Sequence, residues 1–194
     1  MSLTGVATMD RSEMLEAALR PPSRYFVEAG LSTDNHAVGG GNALTLLLSS
    51  RTAFDLPIGS IVADSLALRL TLSPSACDDI ATALHEGISN AVIHGNLAVA
   101  SEERITLDGC VAYEESMLRA LTDPRLSSKR VAIRLRWTGT MIFARISDDG
   151  EGFDPELISV PGRGRGLSMI RCMTQHLAWV RGGRTLLIRF QRED

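Results

Sequence analysis

Lysine is almost missing from this chain: Lys129 is the only one, so the other nineteen of its twenty basic side chains are arginines. Those twenty are outnumbered by 23 carboxylates, giving a net charge of −3 and a pI near 5.8. A dedicated nucleic-acid binder carries a basic excess, so nucleic acid is not expected as a direct partner, although arginines leave room for local anion sites. Cysteine is also sparse: Cys77, Cys110 and Cys172 lie far apart with no paired spacing, which points to neither a disulfide framework nor a zinc site and fits a reducing cytoplasm. No apolar stretch approaches the ~18 residues needed to cross a bilayer. The start, MSLTGVATMDRSEM, has no basic segment leading into an apolar run, so neither export nor membrane anchoring is expected.

What is present is a soluble globular composition, 44% hydrophobic and 22% charged over 194 residues, enough for one domain with a real core. Residues 1–42 read as an extension: a short polar helix near Asp10 to Arg20 stopped by Pro21-Pro22, then glycines 39–41. From Ala43 the texture alternates between strand and helix, and the folded core is expected to begin there, over residues 43–194. ALTLLLSS reads as a buried strand and Ile58 to Leu70 as an amphipathic helix. A second helix is expected from about Ser75 to His94, with Ile80, Leu84, Ile88, Ala91 and Val92 as its apolar stripe. Residues 97–130 form a polar insertion with one short helix around Ala112 to Leu121. VAIRLRW and MIFARISDD then read as paired strands, the second so apolar that burial on both faces is expected. A helix at about Gly166 to His176 and a terminal hairpin turning at Gly182-Gly183 complete the chain.

Three segments could carry chemistry. In HEGISNAVIHGN, Glu86 and Asn90 lie four apart, which stacks a carboxylate and a carboxamide on one helical face. A carboxamide oxygen suits Mg²⁺, which takes one or two protein oxygens beside phosphates, and a carboxylate nearby can orient a hydroxyl for attack on phosphorus. The same spacing also describes an ordinary solvated face. Asp148-Asp149-Gly150-Glu151-Gly152 ends a strand in a D-x-G-x-G turn. Such a turn needs no ligand, yet its carboxylate can accept the amine of adenine while glycines admit the ring. Gly162-Arg163-Gly164-Arg165-Gly166-Leu167 is a flexible basic loop entering a helix, where free N–H groups can face phosphate; each arginine alone is equally a surface charge.

The order of these parts is more specific than any one of them. E-x-x-x-N on a helix, an insertion, two strands, D-x-G-x-G, a short segment, G-x-G-L at a helix start and a final hairpin resemble the Bergerat-fold ATP-binding superfamily across residues 43–192. That superfamily includes gyrase, heat-shock chaperones, sensor histidine kinases and the MutL repair proteins. It implies a two-layer α/β sandwich, a mixed sheet with helices on one face. Within it, HEGISNAVIHGN is similar to the SEAxTNAxxHGY helix of bacterial anti-sigma-factor serine kinases. The resemblance implies Glu86 as general base and Asn90 as Mg²⁺ ligand. It assigns the adenine amine to Asp148, the base to Gly150 and Gly152, and the phosphates to Gly164 and Gly166, with Arg163 and Leu167 in the same loop. Thr185 would reach adenine through water, and His94 would either touch the nucleotide or brace the helix end.

Those assignments imply an ATP- and Mg²⁺-dependent protein serine kinase that phosphorylates a small antagonist protein and holds a sigma factor, in a cytoplasmic homodimer. A sensor histidine kinase module is the nearest alternative, but such modules carry asparagine where this chain has Glu86, a basic residue where it has Ile93, and a phosphoacceptor histidine on an earlier helix. The segment from Phe153 to Pro161 is short and lacks lysine, unlike gyrase and MutL proteins. A nucleotide-set binding module without turnover stands as the alternative of a different class. Gly87 replaces the alanine usual in the family, and the insertion is longer than in compact anti-sigma kinases.

Overall fold

The computed structural model describes residues 10–32, 41–99, 106–153 and 165–192. Its frame is a six-stranded mixed sheet in the order β1-β2-β3-β4-β6-β5, formed by Tyr25–Val27, Ala43–Ser49, Arg130–Trp137, Met141–Asp148, Thr185–Gln191 and His176–Val180. β1 runs parallel to β2 and the other pairs are antiparallel. Register aligns Leu46, Ile133, Ile146, Leu186 and Trp179 in one row across the sheet. Because successive side chains alternate faces, this row and its neighbours two residues away make one continuous apolar surface.

That surface is covered by α3 (Ile58–Ala67), α4 (Pro74–Asn90) and α7 (Arg165–Met173), so the expected two-layer sandwich with helices on one face is present. α4 starts where Ser73 accepts from Ala76 N–H and Pro74 takes a position that needs no donor. The β4 strand differs from expectation. Ile142, Ala144 and Ile146 are buried, but Phe143 is 43% exposed on the opposite face. Its apolar sequence reflects one exposed aromatic, not burial on both sides.

The start of the chain also departs from expectation. α1 (Arg11–Ala18) forms as read, capped by Asp10 and Glu13. Yet Leu15 and Leu19 are buried in the main core, and Ser65 Oγ donates to Leu19 O at 2.9 Å. Glu28 then accepts from Ser49 N–H at 2.7 Å and from the Thr52 hydroxyl at 2.6 Å, fixing the end of β1 to α2 (Ser50–Asp55). The core therefore begins before Ala43. α1 reads as polar because only Leu15 and, at its C-cap, Leu19 reach inward, and β1 is three residues long. In the insertion, α5 (Leu107–Thr122) is longer than expected and α6 (Pro124–Ser127) follows it. α7 ends at Met173, short of His176, because that residue already opens β5.

The Leu19→Ala variant should lose about 2–5 kcal/mol of stability, the cost of an unfilled core cavity. Urea unfolding followed by circular dichroism measures it, and a loss below about 1 kcal/mol would show that α1 is not part of the cooperative core.

Candidate functional site

The site is built outward from α4. At Gly87 this helix lies directly on the sheet: a Cβ there would stand 2.6 Å from Ile146 Cδ1 and 3.2 Å from Leu186 Cδ2. Alanine would add helix propensity of about 1 kcal/mol, but here it would overfill the core, which costs about 1–3 kcal/mol. The close approach thus accounts for glycine where the family carries alanine. Glu86, beside it, and Asn90, one turn on, are both half-buried.

The helix expected to run through His94 changes form after Asn90. Ala91–Asn96 is π-helical, with Leu97 N–H donating to Val92 O at 2.8 Å. A π turn fits one extra residue per turn and is often found at functional sites. The widened turn presses Gly95 against the end of β4, where a Cβ would meet the Asp148 carboxyl carbon at 2.6 Å. His94 is exposed, and its Nδ1 lies 2.7 Å from Val99 O, an Nδ1–H donor bond that braces the helix exit.

Asn96 is the residue that sequence reasoning passed over. It is fully buried. Its Nδ2 donates to Ser50 Oγ at 2.8 Å and to Arg130 O at 3.0 Å, while Oδ1 accepts from Asp149 N–H at 2.9 Å. One carboxamide therefore joins the π turn to α2, β3 and the turn after β4. The available signal was a lone amide in the apolar run AVIHGNLAV, whose burial demands partners.

Asp148 Oδ1 accepts from Gly150 N–H at 2.9 Å. Burial pushes its carboxyl above the ordinary aspartate range; the Gly150 N–H opposes that rise, Asp149 reinforces it and Arg184 again opposes it. A half-buried carboxylate held this way is under-solvated and gains from a further donor, so the donor set fits an adenine amine. The glycines of the turn have a second reason. A Cβ on Gly150 would stand 2.2 Å from Gly95 O, and one on Gly152, at φ +84°, 2.1 Å from Gly182 O. The space they leave open is filled by this chain's own backbone.

Thr185 is not brought to this cluster. Its hydroxyl lies 2.9 Å from that of its register partner Ser147, and Ser147 faces away from Asp148 by the two-residue alternation of β4. The basic glycine loop stands partly in view: α7 opens at Arg165, one residue before the expected Gly166, which lies in its first turn, and Leu167 is half-buried against the core. Gly162, Arg163 and Gly164 lie outside the described residues.

Residues 57–191 match the family described as the histidine kinase-like ATPase domain. The chain belongs to that family. The Glu86/Asn90 helix, the Asp148 turn, Thr185 and the opening of α7 all lie within the matched range of the ATPase domain. The protein is thus a histidine kinase-like ATP-binding module, and the specificity of its chemistry is a separate question. No curated protein matches the chain. Among the described residues of the ATPase domain and its flanks, no helix is long and apolar enough to cross a membrane.

Two outcomes follow from the geometry. Asn96→Ala takes one bond each from the Ser50 hydroxyl, the Arg130 carbonyl and the Asp149 N–H, of which only Ser50 is fully buried and it keeps its bond to Lys129 O, so a loss of about 1–3 kcal/mol is expected in chemical denaturation. Asp148 has its folded proton affinity raised, so its contribution to stability is full below the ordinary aspartate value and is lost as pH rises through the raised one. Ligand-free Asp148→Asn should therefore gain on the parent as pH rises above about 4; unfolding curves that stay parallel from pH 3 to 8 would contradict the assignment.

Proposed function

We propose that this protein is an ATP- and Mg²⁺-dependent protein serine kinase of the anti-sigma type, acting on a small antagonist protein and holding a sigma factor. The observation that carries the proposal is continuity: the helix bearing Glu86 and Asn90 runs unbroken, through its π turn, into direct packing on the Asp148 carboxyl. The residues of phosphoryl transfer and of adenine recognition thereby share one rigid unit.

In this reading Asp148 accepts the adenine amine, and Asn90 would supply the amide oxygen that holds Mg²⁺, an ion that would neutralise phosphate charge. Glu86 accepts the proton of the attacking serine hydroxyl as its oxygen bonds the γ-phosphorus and the bond to the ADP oxygen breaks. A helix N-terminus offers N–H groups to phosphate, and α7 opens at Arg165 within the segment this reading assigns to the phosphates. A carboxylate at 86, where sensor kinases carry asparagine, supports serine as the acceptor. Family likeness alone supports the sigma factor, the antagonist, the homodimer and the cytoplasmic setting.

Calorimetric titration of Mg-ATP tests the binding half. Asp148→Asn should weaken affinity by about 10- to 100-fold, the worth of a charge-assisted hydrogen bond, and Asn90→Ala should abolish the magnesium dependence. Transfer from γ-labelled ATP to small antagonist proteins of the same source, read as phosphoserine, tests the rest. Glu86→Gln should cut transfer by about 10²- to 10⁴-fold with Mg-ATP affinity preserved. A folded parent that binds no nucleotide at millimolar concentration overturns the proposal. Binding without transfer makes the protein a nucleotide-set binding module instead.

A further inference from the structure

The open face of the sheet has a composition unlike the rest of the molecule. Its outward positions on β3, β4 and β6 include Arg130, Arg134, Arg136, Arg145 and Arg189, and no carboxylate occurs at any outward strand position. Asp149, in the turn beyond β4, pairs with Arg130 at 3.1 Å. Arg136, Phe143, Arg189 and His176 sit side by side in one register row. Arg136 and His176 are exposed and Phe143 is 43% exposed, so an aromatic ring stands in the open between two guanidinium groups. The next row holds Arg134 and Arg145. The Nε atoms of Arg145 and Arg189 are buried with no hydrogen-bond partner among the described residues. Burial lowers the proton affinity of Arg134, and Arg145 and Arg130 lower it further, the electrostatic mark of like charges held together.

Gathering cations on one face of a chain whose net charge is −3 costs repulsion, and no carboxylate stands between Arg136 and Arg189 in their register row. We propose that this face is a docking surface for an acidic polypeptide segment of a partner protein, one whose carboxylates engage Arg136 and Arg189 on either side of an apolar side chain resting on Phe143. Guanidinium groups match carboxylates bidentately and, being more weakly hydrated, lose less on pairing than ammonium groups would. Adjacent strands are ~4.8 Å apart, so Arg136 and Arg189 span about 10 Å, the reach of three or four residues of extended chain. A nucleic-acid strand would carry phosphates past so small a patch, whereas a short acidic segment ends within it. A second copy of this chain would oppose arginine with arginine. The proposal is independent of the nucleotide reading, because neither arginine belongs to the Glu86–Asp148 site.

The test uses the full chain and two fluorescent probes, a dodecapeptide of repeating Glu-Glu-Leu and a thymidine dodecanucleotide, with binding read by anisotropy at low and physiological salt. The peptide should bind and weaken as salt rises. Arg136→Glu/Arg189→Glu should reduce its affinity at least tenfold, and Phe143→Ala several-fold, while both variants keep the parent's thermal unfolding and Mg-ATP affinity. Equal peptide binding by parent and charge-reversed chain overturns the proposal, as does absence of peptide binding at low salt. Tighter binding of the oligonucleotide overturns it in favour of a nucleic-acid surface.

Discussion

One buried carboxamide holds the site together. Asn96 has all three of its bonds to different elements, and each partner is itself buried or at a strand end: Ser50 at the start of α2, the Arg130 carbonyl at the start of β3, and the Asp149 amide beyond β4. Because an unmet buried donor or acceptor costs about as much as a hydrogen bond is worth several times over, only a narrow set of positions satisfies all three at once. Lys129 Nζ adds a bond to the Asn96 carbonyl at 3.1 Å, so even the chain's single lysine serves this junction. The end of β4 cannot shift against α4 without breaking the set.

The π turn follows from the same constraint. An α-helix continued through Asn96 would carry its amide around by the usual 100° per residue, whereas the wider turn allows Gly95 to touch the Asp148 carboxyl while Asn96 still reaches β3. Glycine at 95 and at 150 is what lets two stretches of backbone meet around one carboxylate. That meeting shields Asp148 from water and raises its proton affinity, a cost carried by the ligand-free fold. Residues held in a destabilised state for a ligand's sake are characteristic of functional sites, and the Asn96 bonds are the compensation nearby.

Charge is divided between the two layers with similar economy. The helices carry acid, with Glu13, Asp64, Asp78 and Glu114 among them, while the outward strand positions carry arginines and no carboxylate. On β4 the alternation separates neighbours one residue apart: Ile146 and Asp148 face the helices, Arg145 and Ser147 the open side. One strand thus serves two surfaces of opposite character. Small residues such as Ala132 and Thr185 are buried on that face between the arginine positions.

This division also explains what could be read in the sequence. Period and punctuation gave α4, the β3–β4 pair, the β5–β6 hairpin and the helix opening at Arg165, since each is long or sharply bounded. The D-x-G-x-G turn and the Glu86/Asn90 spacing were legible because the chemistry needs fixed offsets along the chain. What was hidden depends on pairs distant in sequence. Leu19 reads as part of a polar extension until Ser65 and α3 are placed against it, 46 residues on. Phe143 reads as core until the layer on only one side of the sheet is known. Asn96 is an unremarkable amide until residues 46 positions before it and 53 after it converge on its side chain. Local patterns state which surface of an element is apolar; they do not state what meets it, and the bonds that fix this site are all of the second kind.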